Sequence, residues 1–210
     1  WLPPPSKGMG QEESMGYDVM EHYNLNSRFG DKESLKNLIN SFHKEDVEVM
    51  ADLVMGHMLG GDLEYNPTVD CRTYTKFEEQ CFPKDYRHFR FGEEDVNEFG
   101  QTIDYYSDNE YMKEGLIEWA NWLKEDIGFD SFRIDNLKDM DLDFVEEFTN
   151  EFEDEFIVGE HWSGDDLELQ QVSSRIGARV FVLFFFFKQR AECVNFHDGE
   201  KELTEYSFLL

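Results

Sequence analysis

The chain has 210 residues, with 47 Asp and Glu against 19 Lys and Arg for a formal charge of −28, and its pI lies near 4.3. That balance excludes a sequence-independent nucleic-acid binder, because phosphate backbones are repelled. A hydrophobic content of 40% and an aromatic content of 16% exclude wholesale disorder; the longest unbroken apolar run, 180–187, is far shorter than the roughly 20 residues of a membrane span.

The acidic excess is spread along the chain, which fits either a strongly hydrated surface or adaptation to high salt, where counterions screen self-repulsion. Cys71, Cys81 and Cys193 have no metal-ligand spacing, and Cys71 and Cys81 are either paired across a short loop or free. The start at Trp1 and the stop at Leu210 within an apolar run both read as cuts through a larger protein.

In chain order, strands alternate with helices, the pattern of a parallel sheet or barrel. Asp31 caps a helix whose one face carries Leu35, Leu38, Ile39 and Phe42. Residues 47–55 form a β-branched apolar run interrupted by Asp52, a buried strand. A helix over 109–126 places Met112, Leu116, Trp119 and Leu123 at helical spacing, and 129–135 is the next strand. Asp141 caps a third helix bearing Val145, Phe148 and Phe152, followed by a strand over 156–160. A polar helix over 165–173 leads to an apolar strand over 179–187, and 199–210 reads as the start of one more helix.

About 50 residues between His57 and the helix at Asn109 break this rhythm, and loops beyond about 15 residues are functional or small subdomains. The expected organisation is therefore barrel over 1–57, an inserted subdomain over 58–107, and barrel again over 108–210. The fold class is α/β, a partial (β/α)8 TIM barrel running from the end of strand two to helix six, with the insertion after strand three.

Barrel chemistry sits where strands end. The run Asp52-Leu-Val-Met-Gly-His57 ends in His57, Phe132-Arg133-Ile134-Asp135 in Asp135, and Val158-Gly159-Glu160 in Glu160. Arg133 lies two residues before Asp135, so both project to one face and the guanidinium favours an ionised carboxylate, as a nucleophile requires. Glu160 follows an apolar strand near Trp162, surroundings that raise a carboxyl toward general-acid duty. A pair of this kind is what retaining glycoside hydrolysis uses.

These segments resemble the alpha-amylase family, glycoside hydrolase family 13, and most of all its archaeal and plant-like branch. The opening Trp1-Leu-Pro-Pro-Pro-Ser-Lys-Gly-Met9 and Met15-Gly-Tyr-Asp18 are similar to segments after the second barrel strand. Asp52 to His57 resembles the first conserved region, Gly128-Phe-Asp-Ser-Phe-Arg-Ile-Asp-Asn-Leu-Lys138 the second, and Gly159-Glu-His-Trp162 the third. The resemblance implies Asp135 as nucleophile, Glu160 as general acid/base, and Arg133 as the arginine orienting the nucleophile. It also implies His57 as a sugar-binding histidine, Tyr17 as an aromatic platform and Lys138 as a downstream subsite contact.

The reaction it implies is endo-hydrolysis of α-1,4-glucosidic bonds in starch-like glucans, by a monomeric, exported protein without nucleic-acid or membrane partners. A transglycosylase or isomerase of the same family and a non-catalytic binding relative are the alternatives. Calcium stays open: the family's structural ion is held partly by an Asn where this chain has Gly56, Asp139 replaces a frequent His, and Thr102 replaces a frequent Asp. Asp62, Asp70, Asp104 and Asp108 supply oxygen ligands nearby.

The family's third acid has no clear counterpart. Asp198 lies 38 residues beyond Glu160, whereas two helix–strand units need around 60 at roughly 30 per unit of a barrel of about 250 residues. Asp198 is thus expected to cap helix six, and the third acid to lie outside the chain. A barrel cut this way leaves an unpaired apolar edge at 180–187, an aggregation hazard.

Overall fold

The computed structural model describes residues 1–10, 13–77, 85–91, 96–97, 100–102, 110–176, 180–185, 191–197 and 200–204. Near the start, β1 (Lys7–Gly8) and β2 (Val19–Glu21) pair antiparallel. Helix α1 (Lys32–Lys44) begins at Asp31, whose carboxylate accepts the Ser34 N–H while the Ser34 hydroxyl accepts the Asp31 N–H, each at 2.8 Å. This reciprocal cap satisfies two donors that the first turn cannot. The apolar face expected of α1 is only partly covered. Ile39 is buried against the turn at Gly128, but Leu38 and Phe42 are 43% and 37% exposed.

Strand β3 (Met50–Leu53) is shorter than the apolar run that announced it, and Val47 is exposed. Five short strands follow: β4 (His57–Met58), β5 (Asp62–Asn66), β6 (Cys71–Lys76), β7 (Val96–Asn97) and β8 (Gly100–Thr102). They form sheets of their own, β4-β8-β7 and β5-β6, and none joins the main sheet. Helix α2 (Glu110–Trp122) buries Met112, Leu116 and Trp119, then widens into a π-helical turn, Leu123–Ile127. Gly128, at φ 104°, closes it with its N–H shared between the Leu123 and Lys124 carbonyls, a left-handed conformation suited to glycine.

The remaining elements are β9 (Ser131–Ile134), a 3-10 turn at Leu137–Asp139, α3 (Leu142–Glu151), β10 (Ile157–Glu160), α4 (Asp166–Arg175), β11 (Val180–Phe185), β12 (Ala191–His197) and β13 (Glu200–Thr204). Asp141 and Asp165 cap α3 and α4 through the Asp143 and Leu167 N–H groups. The described strands form an open six-stranded sheet of order β13-β12-β11-β10-β9-β3, in which β3, β9, β10 and β11 run parallel. Beside β3, Leu2 makes a parallel bridge to Ala51. Every residue of β9 and β10 is buried, the polar Ser131, Arg133 and Glu160 included, as expected of parallel strands covered on both faces. Phe132 of β9 packs edge-on against Phe148 and Phe152, centroids 6.2 and 5.1 Å away, as the helical spacing of α3 requires.

One expectation fails in this region. The stretch read as the start of a helix, 199–210, holds strand β13, which pairs antiparallel with β12, His197 opposite Glu200. The sequence Asp198-Gly199 between them is a strong hairpin signal that the helical reading overlooked. The edge expected to lie open at β11 is likewise paired, Leu183 opposite Cys193. Asp198 itself lies outside the described residues.

Candidate active site

Parallel β3, β9 and β10 bring their carboxyl ends together. Register sets Asp52 of β3 directly opposite Arg133 of β9, Asp135 follows β9 by one residue, and Glu160 is the last residue of β10. The Arg133 guanidinium gathers all three acids. Its Nη1 donates to Asp52 Oδ1 at 2.5 Å and to Asp135 Oδ1 at 3.0 Å, and its Nη2 lies 2.8 Å from Glu160 Oε2. Asp52 is wholly buried; Arg133, Asp135 and Glu160 are 5%, 8% and 8% exposed.

Asp52 had no role in the sequence reading, yet it ties the cluster together. Its Oδ2 accepts the Tyr17 hydroxyl at 2.9 Å and the Trp1 indole N–H at 3.1 Å. The Trp1 and Tyr17 rings lie 5.2 and 5.9 Å from the Arg133 guanidinium carbon, so the cation is lined by aromatic rings as well as by acids. Burial and the neighbouring Asp52 push the Tyr17 hydroxyl well above its ordinary range. The one local sign of Asp52 was a charge interrupting an apolar strand, which has to be paired once buried.

Three carboxylates around one cation alter the ionisation of Asp135. Burial is the largest cause, Arg133 opposes it, and the charges of Asp52 and Glu160 add to it; the result is an Asp135 carboxyl pushed up to about 7. Burial likewise raises Asp52, against Arg133. The expectation that Arg133 alone holds Asp135 ionised is therefore corrected: one guanidinium shared among three acids does not offset desolvation. The surroundings of Glu160 also differ from the apolar pocket expected, since Trp162 is 47% exposed and Arg133 lies against the carboxylate.

The same Glu160 oxygen accepts the Asn136 N–H at 3.2 Å. Asn136 sits at φ 44°, a left-handed conformation that turns its N–H toward β10. Gly159 permits the close approach. A Cβ there would meet Leu137 Cδ1 at 2.4 Å, and Leu137 is buried. Neither Asn136 nor Gly159 was assigned a part by the sequence.

His57 and Tyr17 are brought together, the His57 Nε2 donating to the Tyr17 carbonyl at 2.7 Å. Lys138, in the turn after Asn136, has its ammonium 3.9 Å from Glu168 on α4. Glu168 also accepts from Ser163 and pairs with His161 Nε2 at 2.8 Å, so Lys138 belongs to a second polar group beside β10. Those hydrogen bonds from Ser163 and His161 draw Glu168 below the usual carboxylate range.

Among the described residues, no three His, Cys, Asp or Glu side chains converge on a metal position. Asp62 is exposed and Asp70 accepts the Tyr65 hydroxyl at 2.7 Å, while Asp104 and Asp108 lie outside the described residues. Cys71 is a free, exposed thiol, and Cys81 lies outside the described residues.

Clustered carboxylates at the carboxyl ends of parallel strands lie where (β/α)8 barrels place their chemistry. The model of the family "Alpha amylase, catalytic domain" matches residues 1–189, and the chain belongs to the alpha-amylase family. It is 27% identical to chloroplastic alpha-amylase 3 of Arabidopsis thaliana over 77% of this chain and 18% of that protein. It is also 27% identical to probable alpha-amylase 2 of the same plant, over 83% of this chain and 43% of that protein. Among solved structures, the alpha-amylase from Geobacillus thermoleovorans in complex with acarbose superposes with a TM-score of 0.63 at 25% identity, over 83% of this chain and 39% of that one. An alpha-amylase from Malbranchea cinnamomea shares the fold at a TM-score of 0.64 and 20% identity, over 84% and 39%. The chain thus spans less than half the length of each.

Proposed function

We propose that the protein carrying this chain hydrolyses α-1,4-glucosidic bonds within starch-like glucans, with retention of configuration. The observation that carries the reading is the placement of Asp135 and Glu160 on different nitrogens of one buried guanidinium, at the ends of adjacent parallel strands. Glu160, protonated, donates to the glycosidic oxygen as that C–O bond breaks, while the Asp135 carboxylate bonds to the anomeric carbon. Water then attacks the same carbon, gives its proton to Glu160 and releases Asp135, so the two displacements restore the original configuration.

Arg133 keeps both carboxylates in reach of one sugar ring. Tyr17 offers a ring face to that sugar, His57 holds the Tyr17 backbone in place, and Lys138 reaches toward the leaving-group side. The third acid of the family is assigned to a part of the barrel beyond the described residues. Relatives include a chloroplastic and a cytoplasmic alpha-amylase, so membership does not fix the compartment. No helix among the described residues is long and apolar enough to cross a membrane.

The test is release of reducing sugar from soluble starch by the full-length protein. Replacing Asp135 by Asn or Glu160 by Gln is expected to lower turnover by about a thousandfold or more while glucan binding persists. Turnover within about tenfold of the unsubstituted protein in either variant would sink the assignment. Longer oligosaccharides among the products would mark transfer rather than hydrolysis.

A further inference from the structure

Three consecutive residues after Asp135 are each fastened to β10 or to the helix that follows it. The Asn136 N–H donates to Glu160 Oε2 at 3.2 Å, the buried Leu137 side chain lies against Gly159, and the Lys138 ammonium is 3.9 Å from Glu168 Oε1 on α4. The first of these contacts depends on strain. Asn136 has φ 44°, a left-handed conformation that persists outside glycine only where the surroundings over-determine it. Leu137 supplies the inner part of that constraint, from the core. Glu168 supplies the outer part, from the first turn of α4.

Glu168 is itself held in place. Its Oε1 accepts the His161 Nε2–H at 2.8 Å, and its Oε2 accepts the Ser163 hydroxyl, whose oxygen accepts the Asp165 N–H at 3.1 Å. His161 is 5% exposed and directly follows Glu160. An ionised carboxylate has no proton to give, so the imidazole carries one on Nε2. Among the described residues nothing bonds its Nδ1, and Glu168 is therefore the group that fixes the ring. The Lys138 pair is long and half-exposed, so the His161 bond is the stronger of the two ties. One carboxylate thus joins the turn after β9 to the segment after β10, and Glu160 lies between them.

We propose that Glu168 is a positioning residue for Glu160, acting through His161 on one side and through Lys138 and the Asn136 N–H on the other. This rests on the function proposed above, in which Glu160 gives its proton to the departing oxygen. A proton donor works only within about 2.6–3.2 Å of its target, so a displacement of the carboxyl by about 1 Å costs the transfer. Asp135, bound to Arg133 at the end of β9, stays in place. The consequence is selective. A sugar oxygen departs poorly without a proton, whereas fluoride departs with little help, so misplacing the acid slows the first and spares the second.

The experiment measures kcat of the full-length protein on maltotetraose and on α-maltotriosyl fluoride. Glu168→Ala is expected to lower kcat on maltotetraose about tenfold and to keep kcat on the fluoride within about twofold. Glu168→Gln keeps an acceptor for His161 and is expected to recover maltotetraose turnover to within about threefold. An equal fall on both substrates overturns the proposal, because the damage is then structural, and so does unchanged turnover of maltotetraose. A loss confined to KM also overturns it, since Glu168 then serves sugar binding through Lys138 alone. If Glu168→Ala does not fold, Glu168→Ser is judged by the same ratio. Amide exchange reads the same contact without turnover: in Glu168→Ala the Asn136 N–H is expected to exchange about tenfold faster while the β9 amides keep their rates. Hydrolysis that needs Asp135 and Glu160 but ignores Glu168 removes this proposal and leaves the hydrolase reading. Faster Asn136 exchange in a protein that turns over neither substrate supports the hold on Glu160 and removes the hydrolase reading.

Discussion

Replacing Asp52 by Asn tests whether the carboxylate cluster sets the pH range of the reaction. Asp52 and Asp135 bind the same Arg133 nitrogen at 2.5 and 3.0 Å, which puts their charges roughly 5 to 6 Å apart. At an effective dielectric constant of about 20, the repulsion is about 3 kcal/mol, equivalent to about two pH units on Asp135. Asn keeps the size and an acceptor oxygen but removes the charge, so Asp135 ionises more readily and Arg133 is shared by two acids instead of three. In the full-length protein, kcat/KM for a soluble maltooligosaccharide is expected to rise with pH through about 7, where Asp135 loses its proton. In Asp52→Asn that rise moves to lower pH by at least about one unit, allowing for relaxation and water. The maximum rate falls in the same variant, because Tyr17 and Trp1 lose a charged acceptor. A profile that stays in place or moves upward refutes the electrostatic account of Asp135.

Two further predictions concern stability. Asp135 ionises near 3.8 in the unfolded chain and about 7 in the folded one, so between those values the folded state holds the extra proton and stability falls as pH rises. Asp135→Asn is therefore expected to be more stable than the unsubstituted chain by about 2–4 kcal/mol above pH 7, with the gain vanishing below about pH 4. Thermal melts across that range check it, and a gain that is independent of pH contradicts the linkage. Gly159→Ala forces a methyl group against buried Leu137 and is expected to cost about 1–3 kcal/mol. Denaturant unfolding measures this, and a change below about 0.5 kcal/mol means that Leu137 yields without strain.

Local rules made much of the fold legible. The caps at Asp31, Asp141 and Asp165 are interactions within three residues, so the sequence carries them whole. Phe148 and Phe152 announced a buried face because helical spacing alone sets them side by side. The errors arose where pairing decides. Residues 200–204 are strand because β12 lies beside them, and Leu38 stays exposed although it shares the apolar side of α1 with Ile39. At the site, the meeting of Asp135 and Glu160 was legible from their positions at strand ends, and that of Arg133 from its two-residue spacing to Asp135. Asp52 could not be assigned, because its pairing with Arg133 joins residues 81 positions apart through sheet register. The ionisation of Asp135 was misjudged for the same reason, since a two-residue window contains the guanidinium but not the other acids.

Trp1 holds its indole N–H on Asp52 and its ring beside the Arg133 cation while remaining 47% exposed. The cluster thereby contains its own chromophore. Indole emission responds to nearby charge and to solvent, so proton loss at these acids and arrival of a sugar ring both change the light emitted by this one side chain. Trp119, buried at 1% exposure with its N–H on the His22 carbonyl, provides a steady reference within the same polypeptide. Quenching by a soluble ion sets the enclosed Trp119 apart from the exposed indoles. Because Trp162 is also 47% exposed, Trp122→Phe with Trp162→Phe leaves Trp1 as the responsive emitter. Titration of the carboxylate cluster can thus be followed optically with no label attached.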